Sequence, residues 1–143
     1  MNRSTFARAL MACSAGALLL AQPASAREQL TGEQQLTKML GNRVAGKPVS
    51  CINLMDATNT TIIDKTAIVY SAGAGVYYVN RPQWPDQLND DDILVTKTWG
   101  SQLCRLDIVQ LHDRSGGFWR GTVGLNDFVP YRLPPKEKTP KQG

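Results

Sequence analysis

Asn89-Asp90-Asp91-Asp92 is the densest acidic group in the sequence, and carboxylates this close together suggest a hard cation. A calcium loop spaces its carboxylates at alternating positions, turns on a glycine and ends on a bidentate glutamate. Here the aspartates are consecutive and no glutamate follows before Glu137. Successive side chains point in different directions, so Asp90, Asp91 and Asp92 are expected to form a solvated turn that holds no metal.

Other carboxylates, Asp56, Asp64, Asp107, Asp113 and Asp127, are scattered, and nothing in their spacing selects two for the facing pair a glycosidase needs. His112 is the only histidine, and no local pattern joins it to a cysteine or a serine. Gly-x-Ser-x-Gly and Cys-x-x-Cys are absent. Ser71-Ala72-Gly73-Ala74-Gly75 lacks the lysine and the following helix of a phosphate-binding loop, and reads as a hairpin turn. No catalytic residue and no cofactor are therefore assigned.

The tryptophans remain. Trp84 lies in Arg81-Pro82-Gln83-Trp84-Pro85 and Trp99 precedes Gly100. Aromatics next to proline or glycine loops suit binding surfaces, which makes Trp84 and Trp99 the candidate contact residues. Trp119 alternates in phase with Val123 and Leu125 and is expected on the core face of its strand.

The ends of the chain set the context. Arg3 and Arg8, the uncharged run from Ala9 to Ala21, the break at Gln22-Pro23 and Ala24-Ser25-Ala26 have the build of a secretory signal, residues 1–26, cleaved before Arg27. The apolar run is too short to span a bilayer, so no transmembrane segment is expected after cleavage. Lipidation at Cys13 is the rival reading, but Phe6 to Leu10 is too short an apolar stretch to precede a lipoprotein cleavage site. Cleavage leaves Cys51 and Cys104, and an even number of cysteines in an exported chain reads as a disulfide.

The net charge of +4 belongs to those ends. Setting aside Arg3, Arg8, Lys136, Lys138 and Lys141 of the 16 Lys and Arg, and Glu137 of the 12 Asp and Glu, leaves 11 of each sign from Arg27 to Pro135. A neutral folded part argues against a nucleic-acid partner. Residues 134–143 carry no apolar anchor and read as a disordered basic tail.

The elements that must position these residues are mostly short strands. Residues 27–47 form a helical lead-in: Thr31 and Gln34 fit a capping box, and Leu36, Leu40 and Val44 recur every fourth residue before Pro48. Residues 48–133 form the β domain. Its expected strands are Val49 to Leu54, Thr60 to Ile63, Thr66 to Ser71, Val76 to Arg81, Asp92 to Thr98, Cys104 to Leu111, Phe118 to Leu125 and Phe128 to Leu133. In the strand from Cys104, Leu106 and Ile108 share the cysteine's face, the expected apolar side; Val109 and Leu111 carry the opposite phase, which suggests a bulge or burial on both faces. The fold class is mainly β with one N-terminal helix (α+β), a small antiparallel sheet curled into a barrel or sandwich.

Cys51-Ile52, Ile63-Asp64-Lys65-Thr66-Ala67-Ile68 and Tyr78-Val79-Asn80-Arg81-Pro82 resemble segments of small exported proteobacterial proteins of unknown function. Leu94 to Thr98, Gly100 to Cys104 and Asp127 to Tyr131 extend that resemblance over Pro48 to Leu133. It implies export and a two-cysteine framework, and no activity. The reading is a disulfide-stabilised domain exported to the periplasm, a non-catalytic binding or accessory protein whose partner is an envelope protein or ligand. The alternative is a small hydrolase acting on envelope polymers through an acidic pair.

Overall fold

The computed structural model describes residues 29–135. The signal at 1–26 and nearly all of the tail at 134–143 lie outside the described residues.

The chain enters through helix α1, Gly32–Leu40. The Thr31 side chain accepts from the Gln34 N–H at 3.3 Å, and Gln34 Oε1 accepts from the Thr31 N–H at 2.8 Å, so the capping box is closed in both directions. The helix stops at Gly41, whose φ of 59° is open to glycine at little cost. Leu36 and Leu40 are buried against Ile63, Ala67, Val69 and Val79. Val44, expected to continue that stripe, lies past the helix end and is exposed.

Ten strands follow: β1 Val44–Ala45, β2 Cys51–Asn53, β3 Ala57–Ile63, β4 Ala67–Ala72, β5 Val76–Asn80, β6 Asp92–Thr96, β7 Gln102–Cys104, β8 Ile108–Asp113, β9 Trp119–Gly124 and β10 Phe128–Arg132. They form a five-stranded sheet in the order β1-β10-β5-β4-β3, a two-stranded sheet β2-β7 and a three-stranded sheet β6-β8-β9. All pairings are antiparallel. The protein is mainly β with one helix among the described residues, and no sheet is closed into a barrel.

β3 and β4 meet at Asp64–Thr66, and β4 and β5 at Gly73–Gly75, where Gly75 takes φ 71°. One face of the five-stranded sheet carries α1. The other turns Ile68, Tyr70 and Phe128 toward Ile52 and Leu103 of the small sheet and Val109, Leu111 and Val123 of the third. The main core is built from all three sheets.

Two departures from the sequence pattern decide where side chains point. The expected strand from Cys104 to Leu111 is broken. Asp107 donates its N–H to the Cys104 carbonyl at 3.1 Å and accepts the Cys104 N–H on Oδ2 at 2.7 Å. Leu106, at the third position of that turn, has φ 74°. Leu106 and Ile108 are therefore exposed, and the inward residues are Leu103, Val109 and Leu111.

The second departure is a bulge in β9. Leu111 pairs with Gly121 but His112 pairs with Trp119, so Arg120 is an extra residue. The bulge reverses the alternation. Trp119, expected with Val123 and Leu125 on the core face, is 64% exposed.

Candidate functional site

β2 and β7 bring the cysteines together as direct cross-strand partners, Cys51 opposite Cys104, and the two are disulfide-bonded. Both are half-buried rather than enclosed. His112 has other partners: Nδ1 donates to the Gly117 carbonyl at 3.0 Å and Nε2 faces Gln110 Oε1 at 3.3 Å. With both sulfurs oxidised, a thiol nucleophile based on His112 is ruled out.

The structure places all three tryptophans outside the core. Trp84 sits between Gln83 and Pro85 at φ 55° and is 64% exposed. The loop is held at the edge of β9, where Gln83 donates its N–H to the Gly124 carbonyl at 2.8 Å. Trp99 lies in the connection from β6 to β7 and is fully exposed.

Trp119 belongs to a larger surface that sequence reasoning missed. On the solvent side of the three-stranded sheet, Ile93, His112 and Trp119 lie in one cross-strand row, and Val95, Gln110 and Thr122 in the next. Ile108 continues β8 on the same side, and Ile93, Val95, Ile108 and Trp119 are all exposed. The alternation of Ile93 and Val95 with Leu94 carried a signal for this face. The bulge that adds Trp119 to it has one sign in the sequence, Gly121 inside the strand beside the extra residue.

The acidic run is divided among different partners. Asp91 is paired with Arg114 at 3.2 Å, while the carboxylate of Asp92, only 4% exposed, is engaged through Oδ1 by Arg120. Asn89 closes the turn, its Oδ1 accepting the Asp91 N–H at 2.9 Å and its carbonyl the Asp92 N–H at 3.0 Å. Among the described residues no three of His, Cys, Asp and Glu are grouped to hold a metal ion.

Elsewhere, Asp113 Oδ1 accepts from the Ser115 hydroxyl and from the N–H groups of Ser115 and Gly116. Those bonds, the Ser115 hydroxyl first, hold its carboxyl below the usual carboxylate range. Arg81 donates to both oxygens of Glu33, which lowers the Glu33 carboxyl in the same way and ties α1 to the end of β5. Arg105 stands 4.0 Å from Asp127.

Two concave sites matter. The larger, about 340 Å³, is lined by Arg81, Arg105, Leu106, Asn126 and Tyr131 among others. Both of its arginines face carboxylates, and Asn126 exchanges hydrogen bonds with Asn80 and donates to the Arg81 carbonyl. The smaller, about 250 Å³, lies between β3–β4 and β6. No protein-family model, curated protein or solved structure matches the chain.

Proposed function

We propose that this is a non-catalytic binding protein of the cell envelope that engages a partner protein through the solvent face of β6-β8-β9. The observation that carries the reading is the placement of Trp119 with Ile93, Val95 and Ile108 on one unpartnered sheet face. Exposed apolar side chains gathered this way mark interaction sites, and tryptophan is the residue most enriched among energetic anchors.

Charge selects the class of partner. An anionic membrane or nucleic acid asks for several unpaired cations, yet Arg114 and Arg120 are matched to Asp91 and Asp92, which leaves Lys97, just after β6, as a single exposed cation beside Ile93 and Val95. Apolar side chains interleaved with hydrogen-bonding ones, here Gln110, His112 and Thr122, suit a protein interface. Export to the periplasm, the resemblance to small exported proteins and a sandwich-like layering of the sheets belong to the same proposal. The disulfide and the absence, among the described residues, of a helix long and apolar enough to cross a membrane are compatible with it.

One arrangement speaks for the hydrolase reading: Asp90 and Asp92 line a common cleft. Asp92 is held by Arg120 and Asp90 is exposed, so the two are not set across a substrate from each other.

The test is a photo-cross-linking residue at Val95, compared with one at Lys38 on the exposed side of α1, in the protein's own envelope. The expected result is a discrete protein adduct from position 95 that disappears with Trp119→Ala, a variant that folds with stability changed by less than about 1 kcal/mol because the side chain is outside the core. Equal adducts from both positions, or none from 95, would overturn the proposal.

A further inference from the structure

The cleft between β3–β4 and β6 has a property the other concave surfaces lack. It is lined by Leu54, Ile62, Leu94 and Leu103 together with Tyr70 and Asp92. Tyr70 and Asp92 are each 4% exposed. The Tyr70 hydroxyl and Asp92 Oδ2 are the only buried side-chain polar atoms among the described residues without a hydrogen-bond partner, and both residues line this one cleft. An unpaired buried polar atom forfeits its hydration for nothing, so two on residues lining one cleft call for an explanation.

We propose that this cleft binds a compact, uncharged molecule bearing a hydroxyl on an apolar body, a phenol or an alcohol. Its hydroxyl donates to Asp92 Oδ2, and the Tyr70 hydroxyl donates to an oxygen of the same molecule. The apolar body packs against the leucines and Ile62.

Charge and size narrow the class. An anion would face the carboxylates of Asp92 and Asp90, and Arg114, the cation on this lining, is already paired with Asp91. A cation would have to be desolvated against Asp92, whose charge Arg120 already neutralises. The ligand must therefore be neutral and must carry a donor, because an ionised carboxylate only accepts. A volume of about 250 Å³ lies just below the usual range of small-molecule pockets, so the part of the ligand held there is compact. The site stands apart from the outer face of β6-β8-β9, and either is testable without the other.

Titration of the full mature protein with 4-ethylphenol by calorimetry tests the proposal, with the methyl ether 4-ethylanisole and the amine tyramine as comparators. The expected result is saturable one-to-one binding of 4-ethylphenol, at least ten-fold weaker binding of the ether, and weaker binding of tyramine. Tyr70→Phe should weaken 4-ethylphenol at least five-fold while the protein stays folded. Asp92→Asn also breaks the pair with Arg120, so Leu94→Trp, which fills the cleft from a half-buried position, provides an independent block and should abolish binding. No saturable binding at millimolar 4-ethylphenol, equal affinity for the ether, or unchanged binding to the Tyr70 and Leu94 variants would overturn it and leave water as the partner of the two buried atoms.

Discussion

Tyr70 packs its ring edge-on against Phe128, with centroids 5.8 Å apart, and buries its hydroxyl without a partner. Burial pushes the phenol well above its ordinary ionisation near 10.0. The sign follows from proton counting: above that pH the unfolded chain has released a proton that the folded chain retains. Stability is thus full below about pH 10 and falls as pH rises beyond it. Urea unfolding at pH 8 and pH 11 should show a smaller alkaline loss for Tyr70→Phe than for the unmodified protein; equal losses would remove Tyr70 from the account. At this scale the sequence was a partial guide. It placed Trp84 in a loop held out of the sheets by its prolines, but it read Asp92 as part of a solvated turn, whereas that residue starts β6 with its carboxylate buried and held by Arg120. It misplaced Trp119, because Gly121 inside the strand hints at a bulge without saying that a residue is inserted beside it, and the inserted Arg120 finds its reason only in Asp92, two strands away.

Among the elements, α1 shows how local and tertiary preferences conflict. Gly32 occupies the first turn of the helix, where alanine is intrinsically better by about 1 kcal/mol. A Cβ there would stand 2.8 Å from the Asp64 carbonyl oxygen and would collide with the Thr66 hydroxyl. The glycine is present because the helix start approaches the β3–β4 turn closely. Gly32→Ala should therefore lower the unfolding free energy by about 1–3 kcal/mol, the range of an overpacked contact, despite the better helix former. A stabilised Gly32→Ala in thermal or urea unfolding would show that the helix start is free to move away. The cap at Thr31 and the strands flanking Gly73–Gly75 were legible because their residues act locally. The break at Arg105–Asp107 was not: it puts leucine where a turn of this kind prefers glycine, and it is fixed by Asp107 binding the Cys104 N–H and by the Leu106 N–H donating to the Leu125 carbonyl at 2.9 Å.

For the molecule as a whole, that break divides what reads as one continuous strand between two sheets, and the disulfide joins the two strands of the small one. A two-stranded pair is marginal by itself, yet β2 and β7 deliver Ile52 and Leu103 into the core shared by all three sheets. The bond joins residues 53 apart in sequence. Closing a loop of that length in the unfolded chain stabilises the fold by about 4 kcal/mol in the chain-entropy model. The general β class with one helix was readable from composition and alternation, whereas the division into three sheets depends on contacts between segments far apart in the chain. Cys51→Ser should lower the urea-derived unfolding free energy by about 2–5 kcal/mol, and the loss should not be confined to the small sheet, because Ile52 and Leu103 touch the common core. Hydrogen exchange can separate the possibilities. If protection falls together at Ile52, Leu103, Val109 and Ile68, the disulfide supports one cooperative unit. If only β2 and β7 lose protection, the small sheet is a separate unit and the core is held by the two larger sheets alone.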